Sequence, residues 1–92
     1  MYRVKEILHN GTNGERNTPR TDGRYPLRIG RLCNVYVKER FPMIIEWITD
    51  ENGDDYSGFS IRTSTVSECK RRDKALYVYT LNSIYVFEEA GD

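Results

Sequence analysis

Ala75-Leu76-Tyr77-Val78-Tyr79-Thr80-Leu81-Asn82-Ser83-Ile84-Tyr85-Val86-Phe87-Glu88 is the stretch that decides the fold of this chain. Two short runs of β-branched and aromatic residues, types that pack well on a pleated surface, flank a polar break. The pattern predicts an antiparallel hairpin. A two-residue loop at Asn82-Ser83 pairs Leu81 with Ile84, Tyr79 with Val86 and Val78 with Phe87, although serine is a poor second loop residue and a longer loop competes. Either register leaves apolar side chains on both faces. Such a pair must be wrapped, as in a closed barrel, or must bury one face in a partner. The uncharged run Ala75–Phe87 spans 13 residues, short of the ~20 that a membrane helix needs.

Working outward, the rest of the chain has the same character. Its 92 residues include 6 Val, 7 Ile, 7 Thr, 7 Tyr, 3 Phe and 1 Trp, against 2 Ala, 5 Leu, 2 Met and no Gln. No window carries an apolar stripe of helical period and length. Further strands are predicted at Tyr2 to Leu8, Leu27 to Val37 (bent at Gly30), Phe41 to Thr49 and Tyr56 to Thr65. Asn52-Gly53 centres a type I′ turn in which Thr49 faces Tyr56 and Trp47 faces Gly58. Thr65-x-x-Glu68 has capping-box spacing, which places one helical turn in the polar segment 67–73. The expected architecture is all-β: a small SH3-like barrel or a rolled antiparallel sheet of about six strands. Residues 1–92 form a single domain, with a polar, Arg-rich loop or arm near 12–26.

Catalysis can be weighed by inventory. The only histidine, His9, falls in a predicted surface turn, and Cys33 and Cys69 have no metal-ligand spacing. No nucleophile, base and orienting group stand in a recognisable pattern, so no enzyme, no metal and no cofactor are expected. The acidic turn Asp50 to Asp55 fails the EF-hand pattern, because its glycine comes too early and the twelfth position is Ile61. It leaves Asp50, Asp54 and Asp55 as weak cation ligands at most. Two cysteines do not make a disulfide scaffold, and Met1-Tyr2-Arg3-Val4-Lys5-Glu6-Ile7 is not an apolar signal region, so a cytoplasmic location is expected.

Charge is informative by segment. The formal net charge is zero, with 14 basic and 14 acidic residues. Residues 1–40 carry nine basic and four acidic side chains, whereas residues 41–59 carry five acidic and none basic. Arg16, Arg20, Arg24, Arg28 and Arg31, with Tyr25 and Tyr36, are therefore the candidate partner-binding set. Guanidinium groups grip carboxylates bidentately, which suits an acidic protein surface. They also contact phosphates while aromatics stack on bases. The plain structural alternative is that they pair with the protein's own acidic turn. Lys70-Arg71-Arg72 is a second basic cluster, placed in a turn.

Thr63-Ser64-Thr65-Val66 and Thr80-Leu81-Asn82-Ser83-Ile84-Tyr85 resemble a pattern in short uncharacterised β-rich proteins of bacteria, phages and mobile elements. In those proteins a Thr-Ser-x-Val stretch precedes a terminal Thr-x-Asn-Ser-x-Tyr hairpin. The resemblance covers about the last 30 residues. It implies a small β domain of bacterial or phage origin and carries no activity or catalytic residue.

The first expectation for function is thus a non-enzymatic small β-barrel binding module that engages a protein partner. The alternative is a nucleic-acid-binding accessory protein of a phage or mobile element that uses the Arg-rich arm. A homo-oligomer joined through the opposed charged segments is a third way for the same groups to pair, and no membrane partner is expected.

Overall fold

The predicted hairpin forms and closes a barrel. The computed structural model describes residues 1–12 and 14–91. Its strands are β1 (Tyr2–His9), β2 (Leu32–Tyr36), β3 (Pro42–Trp47), β4 (Ser60–Arg72), β5 (Ala75–Thr80) and β6 (Ser83–Glu89). Every pairing is antiparallel, the strands follow one another in chain order, and β6 returns to β1. One short helix, α1 (Tyr25–Arg28), lies between β1 and β2. The all-β class and the expected number of strands are met.

The hairpin register differs from the expected one. Tyr79 pairs with Ile84, Val78 with Tyr85 and Leu76 with Phe87, so the loop is Leu81-Asn82 rather than Asn82-Ser83. A hydroxyl clasp explains the shift. Thr80 Oγ1 accepts a hydrogen bond from the Ser83 backbone N–H at 3.0 Å and donates to the Ser83 carbonyl at 3.0 Å. Both residues are buried, while Leu81 stands exposed at the tip. In this register Tyr85, Phe87, Val78 and Leu76 join the barrel core with Val4, Ile7, Cys33, Met43, Ile45, Trp47 and Val66.

The outer face of β6 is buried as well. Ile84 and Val86 point away from the core, yet each is only 2% exposed. Ile84 stands between Tyr79 and Leu8, and Val86 between Tyr77 and Glu6. The large side chains of the flanking strands thus cover what the sequence predicted would need covering, and they do so within one chain.

Three expectations are corrected. First, no helical turn forms at 67–73. That segment is the second half of β4, a 13-residue strand. Its polar residues Glu68, Lys70 and Arg72 sit opposite Tyr79, Tyr77 and Ala75, while Val66 and Cys69 pack on the core. Its polarity therefore marks a solvated face of a strand. Lys70-Arg71-Arg72 accordingly lies on that strand, at the end of the β5–β6 hairpin remote from its tip.

Second, Leu27 to Val37 is not one strand. Pro26 stands in the first turn of α1, where its fixed φ suits a helix. Gly30, at φ +89°, then redirects the chain into β2. Third, the acidic turn is not type I′. Asp50 Oδ1 accepts the Asn52 and Asp54 N–H groups at 2.8 and 3.0 Å, and the Gly53 N–H reaches the Asp50 carbonyl at 3.1 Å. Gly53 alone of the central pair takes positive φ, so Thr49 faces Asp55 rather than Tyr56, and the Trp47 N–H bonds the Phe59 carbonyl.

The arm is fastened to the barrel. His9 N–H bonds Thr18 O at 2.8 Å, Asn17 N–H bonds His9 O at 2.9 Å, and Arg20 N–H bonds Ile7 O at 2.9 Å. These bonds occupy the edge of β1 beyond its short pairing with β2.

The clasp yields a stability test. Thr80→Val keeps the shape but strands the Ser83 N–H in a buried site, an expected loss of about 1–3 kcal/mol of unfolding free energy. Urea denaturation would measure it. A loss below about 0.5 kcal/mol, the scale of an ordinary surface substitution, would show that the clasp does not hold the register.

Candidate functional site

The five arginines between residues 16 and 31 go to four different fates. Arg20 is only 7% exposed. Its Nε and Nη2 donate to Asp22 Oδ1 and Oδ2 at 3.2 and 2.6 Å, and its Nη1 donates to Ser83 Oγ at 2.8 Å. The guanidinium lies 3.9 Å from the Tyr25 ring centroid. The hydrogen bonds with Asp22 raise the arginine's pKa and hold the carboxyl below its ordinary value. Arg20 therefore ties the arm, α1 and the hairpin tip together.

Arg31 meets the acidic turn. Its Nη2 lies 3.3 Å from Glu51 Oε1, and its guanidinium packs 4.9 Å from the Trp47 ring and 5.2 Å from the Tyr56 ring. Among the described residues, this is the ion pair at which the basic and acidic segments meet. Arg16 and Arg24 are exposed and form no ion pair among the described residues. Tyr36 is exposed on β2, with its hydroxyl 3.5 Å from Glu46 Oε1.

Arg28 differs from the rest. It is half-buried, with its guanidinium 4.8 Å from the Tyr25 ring, and its Nη1 is 3.5 Å from the Tyr85 hydroxyl. Among the described residues no carboxylate forms an ion pair with it. A partly desolvated cation without a counter-anion is an electrostatic demand the chain itself leaves unmet.

Arg28 faces a cleft of about 340 Å³ at the mouth of the barrel. Tyr25 and Arg28 of α1 form one wall. Residues 61–64 of β4 form another, and Thr80, Asn82, Ser83 and Tyr85 of the hairpin form the third. The lining holds two arginines, Arg28 and Arg62, several hydroxyls and no carboxylate. That lining suits an anionic group, because two guanidinium groups border it with no carboxylate among them, although the Thr63 and Thr80 hydroxyls already donate to the Ser64 and Ser83 carbonyls. The structure thus brings Arg20, Tyr25 and Arg28 together, sends Arg31 to the acidic turn, and leaves Arg16, Arg24 and Tyr36 outside the cleft.

Two contributors were not visible in the sequence. Arg62 sits in a segment of balanced charge, and Tyr85 reads as a core strand residue. Only the tertiary approach of β4 to the hairpin tip identifies them.

The chemistry-bearing residues take other roles. His9 is at the end of β1 rather than in an exposed turn, with its side chain 13% exposed and its Nε2 4.0 Å from Asp22. Burial pushes the Cys33 thiol up to about 12, and burial also raises Cys69. Both shifts run opposite to the activation that a nucleophilic thiol requires. Asp50 and Asp55 spend carboxylate oxygens on their own turn, on Asn52 and Asp54 and on Ser57 respectively. Among the described residues no three His, Cys, Asp or Glu side chains converge as a metal ion would require, and no helix is long and apolar enough to cross a membrane.

Comparison of the chain with protein-family models, with curated proteins and with solved structures finds no match.

Burial also pushes the Tyr85 phenol up to about 12, with the charge and hydrogen bond of Arg28 acting the other way. Cys33 and Tyr85 thus hold their protons more tightly when folded than at their ordinary values of 9.0 and 10.0. Their contribution to stability is complete below those ordinary values and is lost as pH rises towards 12. Urea midpoints should therefore fall through that alkaline range, and Tyr85→Phe should flatten the decline. Equal slopes in the two proteins would contradict the burial of the phenol.

Proposed function

We propose that the protein is a small β-barrel binding module that holds an acidic segment of a protein partner in the cleft between α1, β4 and the β5–β6 hairpin. One observation carries this reading. Arg28 is a half-buried guanidinium that faces an open cleft, has no ion-pair partner among the described residues, and shares the cleft with Arg62 and no carboxylate. A bound carboxylate would give Arg28 a charge-assisted hydrogen bond of the kind that Arg20 already has with Asp22. A cytoplasmic setting accords with the two free cysteines, and the activity is binding rather than catalysis.

An extended polyanion is a poorer fit. Arg20 and Arg31 already pair with Asp22 and Glu51, so few arm cations are left for a row of phosphates.

The test uses a fluorescent oligoglutamate peptide as an acidic probe, with affinity read by anisotropy. The double variant Arg28→Ala, Arg62→Ala should weaken binding by about 10-fold or more, since charge-assisted hydrogen bonds contribute about 1.5–3 kcal/mol each. Arg16→Ala, Arg24→Ala should bind like the parent protein. Equal losses in both double variants would reduce the effect to general charge. Tighter binding of a short single-stranded oligonucleotide, with a log–log salt slope steeper than about −2, would replace the protein partner with nucleic acid.

A further inference from the structure

Resting on the cleft reading above, we propose that the acidic segment enters as an added β-strand, paired with the open edge of β4 at Arg62. The pairing pattern exposes that edge. β4 serves two neighbours in succession: residues 60–65 pair with β3, whereas pairing with β5 begins only at Val66 opposite Thr80. The last links to the hairpin are the Leu81 N–H to the Thr65 carbonyl at 3.0 Å and the Asn82 N–H to Ser64 Oγ at 3.3 Å. Beyond them the hairpin has ended, and the first half of β4 runs on alone along one side of the cleft.

Backbone alternation decides which groups face that gap. Trp47 N–H bonds the Phe59 carbonyl, and Ile45 stands opposite Ile61 two residues further on. Phe59 and Ile61 therefore turn their backbone groups towards β3, and Arg62 turns its N–H and C=O the other way. An unpaired strand edge is a template for an incoming extended chain, and proteins normally cover or blunt it. Here it borders a cleft instead.

The chemistry of the occupant follows from the walls. Successive side chains of an added strand alternate between faces. Ile44, opposite Arg62, is exposed, and Ile45, opposite Ile61, is buried, so the Arg62 side chain lies on the outer surface. One side chain of the incoming strand turns inward to Arg28 and its neighbour outward beside Arg62. Two adjacent acidic residues in an otherwise uncharged extended segment match both cations. Main-chain pairing supplies affinity and the two carboxylates supply selection.

The experiment compares three peptides against the full chain labelled with nitrogen-15: acetyl-Val-Thr-Glu-Glu-Val-Thr-amide, the same peptide N-methylated at both central amides, and its Lys-Lys counterpart. The expected result is binding of the first peptide, at least about tenfold weaker binding of the other two, and at least tenfold slower hydrogen exchange of the Arg62 amide in the first complex. If the N-methylated peptide binds as well and Arg62 exchange is unchanged, strand addition is wrong while the anionic cleft stands. If the Lys-Lys peptide binds equally and protects Arg62, the edge is used but the acidic selection fails. If none of the three binds, both the strand addition and the cleft reading are overturned.

Discussion

The buried guanidinium of Arg20 holds in place the part of this molecule that barrel closure alone would leave loose. Its three nitrogens serve two different elements: two clamp Asp22 within the arm, and the third reaches Ser83 at the start of β6. Its flat face rests on Tyr25 at the head of α1. Arginine suits this role because its fork can bond in two directions while the plane stacks on an aromatic ring. Once Arg20 has fixed Tyr25, the position of Arg28, one turn further along α1, follows. The cleft is thus a consequence of how the arm is clamped.

The clamp has a rigid surface to act on because β6 is enclosed on both faces. Ser83 to Phe87 are all buried, inward side chains by the core and outward ones by Tyr77, Tyr79, Leu8 and Glu6. A strand of that kind needs cover on both faces, and here the closed barrel and the flanking side chains supply it. The hairpin tip is fixed in turn by the Thr80–Ser83 clasp, so Ser83 offers its hydroxyl to Arg20 from a defined position.

The all-β class and the need for cover on both faces were legible in the two-faced apolar pattern of 75–88, which left a barrel, a rolled sheet or a partner-covered face open. Details governed by one side chain were not legible. Thr80 and Ser83 moved the loop by one residue, and Asp50 replaced a type I′ turn by an Asx-bonded turn. The second half of β4 reads as a turn because its outward residues are charged, a signal that burial patterns resolve only when the neighbouring strand is known. The arm arginines were visible as a group, but their division was not. Residue type alone does not separate Arg20, which has a carboxylate two residues away, from Arg28, whose contacts are a ring and a phenol. Arg62 became part of the site only because β4 outruns β5.

The division between Arg20 as clamp and Arg28 as unpaired site cation is tested most directly by equilibrium unfolding of Arg20→Ala beside Arg28→Ala. Removing Arg20 leaves Ser83 and the buried arm contacts unsatisfied, and about 2 kcal/mol or more of stability should be lost. Removing Arg28 takes away a contact with Tyr25 and an unpaired charge, and stability should stay within about 1 kcal/mol of the parent. The reverse order, or equal losses in the two variants, would contradict this account.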